Sequence, residues 1–475
     1  MLRGHSRGFG LLHNLFGVLS PASAGLVVGQ YPPARPLPSH IPIETEEKPV
    51  HIQVSTLPNG IRILTESPQF PAPITLSISI GTGPRDEDET HSGLTFALHN
   101  TYLKTNSRTN EQLNYCMQQM AGTRFSMDYD QEAMMYTGSC LAHDTYDFLQ
   151  MVADMVLDDK TVIDEEAAQW RADEYFKLRE VNRTHQSWIE ENWLTAAYGA
   201  TGLGMPLCGY HSQFQSIGYS HLNQFRKQNA TPDRMIIMAA GINDHDEFVQ
   251  AVTPYFKHIS PVTACRAPAK YLGGELKSVS DEAITTVHMS FHGPPAGAQS
   301  IFPLIILRHL VGNANTTSPP TATRAYTHFL QKYPFIRSLK YCYSGFTDSS
   351  NWGLNLSGPS SHSSQLASAL STELLDLTNV TDSEVARAKK RFQAWICSNF
   401  TSAEYRLYKY AMGLRFEGEP RTLPYILEMS GKVTTAEVRE MAGKLLGSEL
   451  TMIVQGGGAL QVPSRANVQS RFKSS

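Results

Sequence analysis

Residues 92–100, with the sequence SGLTFALHN, predict a short helix that begins after Gly93 and carries one imidazole, His99. Two histidines four residues apart on such a helix would lie on one face and bind Zn²⁺, and a glutamate between them would act as general base. The segment has a single histidine and no glutamate, so this helix by itself predicts no metal chemistry.

Two pairs of histidines in the chain are candidates for metal ligands. The spacing of one pair and the surroundings of the other do not fit a metal site. His91 and His99 are eight residues apart, about 12 Å along a helix, whereas zinc ligands lie about 2 Å from their ion. His288 and His292 share one face of a predicted strand, but no Cys or carboxylate pattern accompanies them, which favours structural histidines. The chain also lacks a GxSxG elbow, a Gly-rich phosphate loop and a Cys/His nucleophile signature.

The composition is that of a globular protein with more than one domain. The 475 residues exceed what one hydrophobic core supports, and 41% are hydrophobic and 18% charged. The net charge of −4 provides no basic field, so we expect no nucleic-acid partner. The six cysteines form no CxxC pair, which predicts reduced, buried thiols. The body of the chain has no apolar run of about 20 residues, so we expect no transmembrane span there.

Residues 1–45 predict a mitochondrial targeting extension. No acidic residue precedes Glu44, and Arg3, Arg7 and Arg35 supply positive charge around an amphipathic stretch, which is typical of a transit peptide. A secretory signal is the rival interpretation, because Ala-Ser-Ala at 22–24 resembles a cleavage site. The Asn-x-Ser/Thr sequons would then be glycosylated, although Asn355 falls inside a predicted strand.

The order of predicted elements occurs twice along the chain, about 200 residues apart. The first half has strands around the turn 57–60, a strand at 72–83, the helix at 92–100, helices at 162–182 and 220–228, and a strand at 234–242. The second half has a strand at 283–293, a helix at 300–312, a strand at 351–358, helices at 381–400 and 434–447, and a strand at 450–457. Thr381 with Glu384, and Thr434 with Glu437, predict capping boxes for the last two helices.

This repeat predicts an α+β fold made of two homologous α/β-sandwich domains in tandem. The boundaries that we predict are an N-terminal extension at 1–45, a first domain at 46–260, a linker at 261–282, a second domain at 283–460 and a basic tail at 461–475. The linker assignment rests on its content of Pro, Gly and small residues.

The chain resembles the pitrilysin/insulinase-type zinc peptidases over about residues 50–457, in the segments TLPNGIRILTE, SISIGTGPRDED, SGLTFALHNTYLK and YLGGEL. Within that family it is similar to the mitochondrial processing peptidase branch, whose members also serve as core proteins of respiratory complex III. The α-type members (core protein 2) are the closer match, on the segments TPDRMIIMAAGINDHDEFV, TRAYTHFLQKYPFI, YSGFTDSSNWGLNLSG and VTDSEVARAKKRF.

The resemblance implies a degenerate zinc site. Phe96, His99 and Asn100 occupy the positions of the family's first histidine, glutamate and second histidine, and Glu180 is the remnant of the distal acid, with Glu174 as the other candidate. One carboxylate does not hold zinc, so the resemblance implies an inactive homologue without catalytic residues, metal or cofactor.

A second feature concerns the glycine-rich loop that admits presequences in α-type processing subunits. The matching segment, 311–326, keeps one glycine and has two prolines, which implies reduced mobility. Its remnant positions are Gly312, Asn313, Asn315, Thr316, Thr317 and Ser318. An ordinary surface loop is the alternative interpretation.

The function implied by the resemblance is that of a non-catalytic α-type core subunit of complex III, on the matrix face of the mitochondrial inner membrane. Its partners would be a β-type core or processing peptidase subunit, cytochrome b, cytochrome c1 and other complex III subunits, together with presequence peptides. The alternatives are a soluble processing peptidase α subunit, an independent zinc endopeptidase and a secreted homologue.

Overall fold

The computed structural model describes residues 50–68, 72–101, 105, 108–120, 124–157, 173, 175–177, 185–214, 216–260, 266–317, 319 and 321–473. The targeting extension, the helix predicted at 162–182 except for residues 173 and 175–177, Glu174 and Glu180, and Ser318 of the loop lie outside these residues.

The first sheet confirms the strands predicted for the first half. Its strands are β1 (Ile52–Thr56), β2 (Arg62–Glu66), β3 (Ile74–Ile80), β4 (Arg124–Tyr129), β5 (Met134–Cys140) and β6 (Met235–Ala240), in the order β1-β2-β6-β3-β5-β4. β2 and β6 pair in parallel and all other neighbours pair antiparallel. The turn around Asn59 and Gly60 joins β1 to β2 as predicted.

The second sheet repeats this plan. Its strands are β7 (Gly274–Ser278), β8 (Ile284–Gly293), β9 (Ala314–Asn315), β10 (Ser338–Gly345), β11 (Ser350–Pro359) and β12 (Thr451–Gly456), in the order β7-β12-β8-β11-β10-β9. The five strands β7-β12-β8-β11-β10 have the same order and directions as β2-β6-β3-β5-β4. The duplicated α+β fold predicted from the sequence is therefore confirmed.

Helices pack on both sheets. Those of the first half are α1 (Leu94–Thr101), α2 (Asn110–Gln119), α3 (Thr145–Leu157), α4 (His185–Tyr198), α5 (His211–Phe214), α6 (Tyr219–Asn229) and α7 (His245–Phe256). Those of the second half are α8 (Ile301–Val311), α9 (Ser363–Leu375), α10 (Asp382–Asn399), α11 (Ala403–Phe416), α12 (Leu423–Lys432), α13 (Thr435–Leu446) and α14 (Arg465–Lys473), with a π-helical turn at Ala325–Leu330. Both predicted capping boxes form. None of the helices in the described ranges combines the length and the apolar character needed to span a bilayer.

Two segments differ from the sequence-based boundaries. The predicted linker, 261–282, contains β7, which pairs in parallel with β12 at the edge of the second sheet. The short polar sequence GELKS gives no hydrophobic signal, because an edge strand contacts only one neighbour. The predicted tail, 461–475, contains α14, whose Val468 and Phe472 are buried in the core of the second domain. The other boundaries stay predictions.

The prediction of buried thiols is also wrong at one position. All five described cysteines are free, but Cys397 on α10 is exposed, while Cys140 is buried and the other three are half-buried. Cys265 lies outside the described residues.

Each sheet is partly covered by a helix from the other half of the chain. α4, from the first half, packs on the second sheet, where Ile189, Trp193 and Ala197 contact Ile453 of β12. α11, from the second half, packs on β3 and β6 of the first sheet. Each sheet therefore has apolar neighbours on both faces, which explains why every residue of β3, β6 and β12 is buried.

A buried set of charges joins the two domains. Arg85 lies before α1, and its side chain is 2% exposed. Its guanidinium donates to Glu132 at 2.5 Å and to both carboxylate oxygens of Asp348 at 2.7 Å, so it links the β4–β5 turn to the β10–β11 turn of the second domain. Glu132 also accepts the backbone N–H of Thr347 at 2.7 Å. The alternation and capping patterns of the sequence did not predict this contact.

Asp86 extends this set of charges. Its carboxylate accepts from Arg266 Nε at 2.9 Å and lies 3.3 Å from Arg234. Burial alone would raise the pKa of Asp86, but the hydrogen bond and charge of Arg266 outweigh it and lower that pKa. The carboxylate therefore stays ionised inside the protein.

Candidate functional site

The helix α1 forms where the sequence predicts it, and a buried carboxylate holds its N-terminus. Gly93 has φ +109°, a conformation that favours glycine, and Glu87 accepts its N–H at 2.6 Å and the N–H of Thr95 at 2.7 Å. Burial raises the pKa of Glu87 to about 7 in spite of these bonds. Glu87 is a residue that the sequence analysis missed, because it lies six residues before Gly93, outside the usual N-cap position.

Phe96 fills the position that a first zinc ligand would need. Its side chain is 3% exposed, and its ring centroid lies 4.8 Å from Tyr175, 5.9 Å from Phe176 and 5.6 Å from Phe214. These spacings and tilted ring planes are those of packed aromatic clusters. Among the described residues, packed aromatic rings therefore occupy the Phe96 side of α1, and Phe96 itself offers no lone pair to an ion.

His99 and Asn100 lie one turn further along α1. The His99 ring lies 5.3 Å from the ring of Tyr129 on β4, and its environment includes hydrogen bonds with Asn100 and with the backbone of Met127. Burial lowers the pKa of His99, so the imidazole is neutral at physiological pH. A neutral imidazole in these contacts orients the helix against β4.

The other predicted histidines serve local packing. His91 lies against Asp88, with its Nδ1 3.2 Å from the carboxylate, and its ring stacks on His221 at 4.5 Å. The structure therefore pairs His91 with His221, a partner the sequence analysis missed, rather than with His99.

His288 and His292 lie on the face of the second sheet that α4 covers. His288 is fully buried between Asn355, at 2.5 Å, and Ser290, at 2.9 Å, and burial lowers its pKa to about 4. His292 contacts Ser349 at 3.0 Å. These contacts agree with structural histidines, and the burial of Asn355 leaves its sequon inaccessible in the folded chain.

The segment predicted as the remnant of a substrate loop is tied to the second sheet. Gly312 has φ +69°, and a Cβ there would meet Thr323 Cγ2 at 2.6 Å. The side chain of Asn313 accepts the N–H of Tyr341 at 2.8 Å. Beyond it, Ala314–Asn315 forms β9 against β10, and Thr316 donates its N–H to Arg337 at 3.0 Å.

The rest of that loop is held by local bonds. Thr317 donates its N–H to the Asn315 side chain at 2.9 Å. The described part of the loop thus adds a sixth strand to the sheet. This anchoring agrees with the reduced mobility implied by the sequence, while a role in binding peptides stays a prediction.

Comparison with known families identifies both halves of the chain. Residues 62–210 match the family model described as Insulinase (Peptidase family M16), and residues 216–392 match the model described as Peptidase M16 inactive domain. The two matches are adjacent and together span most of the described chain.

Similar proteins and structures agree with these matches. The α subunit of the mitochondrial-processing peptidase of Solanum tuberosum is 23% identical over 450 residues, which is 92% of this chain and 87% of that protein. The β subunit of the mitochondrial-processing peptidase of Saccharomyces cerevisiae is 22% identical over 444 residues, covering 88% of this chain and 94% of that protein. A chain of Complex III2 from Candida albicans, Inz-5 bound, superimposes with a TM-score of 0.76 at 16% identity, over 89% of this chain and 100% of that chain.

Proposed function

The chain belongs to the M16 (insulinase) peptidase family, and we propose that it is a non-catalytic α-type core subunit of mitochondrial respiratory complex III. The observation that carries this proposal is Phe96, packed among three aromatic rings in an otherwise complete two-sheet fold. A hydrolytic zinc site needs three protein ligands and a water molecule. Two of these ligands would come from α1, and α1 provides neither of them.

The similarities in sequence and fold support the mitochondrial setting of the proposal. The relatives include α and β subunits of mitochondrial-processing peptidases, and the solved structure with a similar fold belongs to a complex III. We infer that the chain pairs with a β-type subunit on the matrix face of the inner membrane and contacts cytochrome b, cytochrome c1 and other subunits of the complex. In that pair, any peptidase activity resides in the β-type subunit.

A second candidate function is that of a processing peptidase α subunit outside complex III. The 23% identity to such a subunit, extending over 92% of this chain, favours it. In this role the segment 311–326 would contact presequence peptides that the partner cleaves. The anchoring of the segment through β9 supports the complex III role, because a loop that admits different peptides must move.

The two roles are separated by native fractionation. Mitochondria from cells that produce the chain with a C-terminal tag are extracted in mild detergent, and the particle that contains the tag is identified by mass spectrometry. We expect cytochrome b and cytochrome c1 in that particle. A heterodimer with a β-type subunit and no cytochrome would establish the second role, and absence from mitochondria would contradict both.

Catalytic inactivity has its own measurement. The chain purified alone is incubated with a presequence peptide and Zn²⁺, and the same chain is then assayed with its β-type partner. We expect cleavage only in the second assay, lost when the partner's own zinc ligands are replaced. Cleavage by the isolated chain would support the independent zinc endopeptidase instead.

A further inference from the structure

A trio of metal-ligating side chains lies in the second domain, far from α1. Within the described part of the chain, His328, Glu373 and Asp376 each place one ligand atom within 4.8 Å of the other two. His328 belongs to the π-helical turn Ala325–Leu330, Glu373 lies in the last turn of α9, and Asp376 directly follows that helix. Sequence reading missed the trio because 45 residues separate the histidine from the first carboxylate.

The carboxylates of Glu373 and Asp376 lie where a nearby positive charge stabilises them. The C-terminus of a helix carries a partial negative charge, so acidic side chains there are unfavourable unless a cation neutralises them. Glu373 is also 97% buried, which adds a desolvation cost. The last turn of α9 therefore favours a bound cation.

In this structure, two basic side chains supply the positive charge next to these carboxylates. The Lys332 ammonium lies 2.5 Å from Glu373, which also accepts from the hydroxyl of Tyr333 at 2.9 Å, and Arg324 donates to Asp376 at 3.0 Å. The Lys332 side chain is 52% exposed, so its ammonium reaches Glu373 from solvent, and a cation that replaced the ammonium would keep the buried carboxylate paired. The ammonium of Lys332 thus occupies a place next to Glu373 that a metal ion could take.

The surroundings give an ion a route to the trio. A cavity of 830 Å³ is lined by His328, Glu373 and Asp376, and also by Gly443 and Phe472. A second cavity, of 520 Å³, also reaches His328 and Asp376. Additionally, π-helical turns are rare and often occur at functional sites.

We propose that His328, Glu373 and Asp376 form a binding site for a divalent transition-metal ion, with Zn²⁺ as the best match. One imidazole nitrogen and two carboxylate oxygens suit zinc better than Mg²⁺ or Ca²⁺, which prefer oxygen ligands alone. The ion would link the π-helical turn Ala325–Leu330 to the end of α9, and we assign it a structural role. The proposal does not depend on the proposed function.

The test is zinc binding to the full chain, freed of metal with a chelator and titrated with Zn²⁺ in a calorimeter. We expect one ion per chain, with affinity at least tenfold weaker in His328→Ala and in Asp376→Asn. Two control variants are matched to these. His362→Ala removes a half-buried histidine of the same domain that stacks on Phe335, and His99→Ala removes the histidine of α1. Both should bind as the parent chain does.

Lys332→Ala tests the competition directly. We expect zinc to bind at least threefold tighter to this variant, and added Zn²⁺ to restore the Tm that the loss of the ion pair lowers. If Glu373 only pairs with Lys332, zinc would leave the Tm of Lys332→Ala unchanged. Any one of three results would overturn the proposal: an unchanged Tm of Lys332→Ala with zinc, no zinc bound to the parent chain, or equal zinc affinity of His328→Ala and the parent chain.

Discussion

The aromatic cluster around Phe96 and the charged junction between the domains bury opposite kinds of side chain. Around Phe96 the neighbours are three aromatic rings. At the junction, Arg85 and Glu132 are each 2% exposed and pair with each other, and Arg85 also pairs with Asp348. A buried charge is costly unless its partner is present, whereas aromatic packing is favourable by itself. The chain therefore uses paired buried charge to join its two sheets, whereas Phe96 places an aromatic ring on the face of α1 where the resemblance predicts a zinc ligand in active family members.

The largest effect that we expect comes from breaking the junction. Arg85→Ala leaves Glu132 buried without its main partner, and should lower the free energy of unfolding by about 3 to 5 kcal/mol. Chemical denaturation of the purified chain measures the loss. The matched control is Lys432→Ala, which breaks an exposed pair with Glu428 and should change the stability far less, because water screens that pair. Equal effects of the two variants would mean that the junction contributes no more than a surface ion pair.

Phe96→Ala tests the aromatic cluster, and we expect a loss of about 3 kcal/mol, because the surrounding rings cannot fill the space that the side chain leaves. Phe96→Leu keeps most of the hydrocarbon and should cost less than about 1.5 kcal/mol. Both values come from denaturant unfolding. If Phe96→Ala were neutral, the ring would not be packed as described.

Glu87→Gln sharpens the comparison, because Glu87 is a buried carboxylate next to the aromatic cluster without a cationic partner among its bonds. Its folded-state pKa of about 7 lies above the ordinary value of 4.5, so the folded chain binds the proton more tightly than the unfolded chain does. Stability is therefore lost as the pH rises from 4.5 to about 7. The change should be on the order of 2 to 3 kcal/mol.

The variant Glu87→Gln has no proton to lose, so its unfolding free energy should vary less with pH over this range. Parallel denaturant titrations at pH 4.5, 6 and 8 measure the difference between the two proteins. The stability advantage of the parent chain over the variant should shrink as the pH rises. A constant difference would show that Glu87 titrates normally.

The smallest effect is expected for His99→Ala. Loss of its hydrogen bonds and its contact with Tyr129 should cost about 1 kcal/mol. Peptide cleavage by the complex of this chain with its β-type partner should be unchanged, because we assign His99 no role in chemistry. A fall in the cleavage rate of more than tenfold, with normal assembly, would contradict that assignment.

The sequence by itself determined the elements whose signals are local. The apolar runs in 72–83 and 234–242 predicted β3 and β6, and the pairs Thr381 with Glu384 and Thr434 with Glu437 predicted the starts of α10 and α13. Because these elements occur twice in the same order, the duplicated fold followed. The identities of Phe96 and Asn100 likewise predicted a helix without two zinc ligands, and the aromatic contacts of Phe96 agree with that prediction.

Only the tertiary structure decided which distant segments meet. β7 has a polar sequence and is a strand because β12 offers it an edge, and α4 and α11 each cover the sheet of the other domain. Arg85 reaches Asp348 across 263 residues, and His328 lies near Glu373 although 45 residues separate them in the sequence. Periodicity and capping report on neighbours within a few residues, whereas these contacts depend on how the two halves pack, which no local pattern encodes.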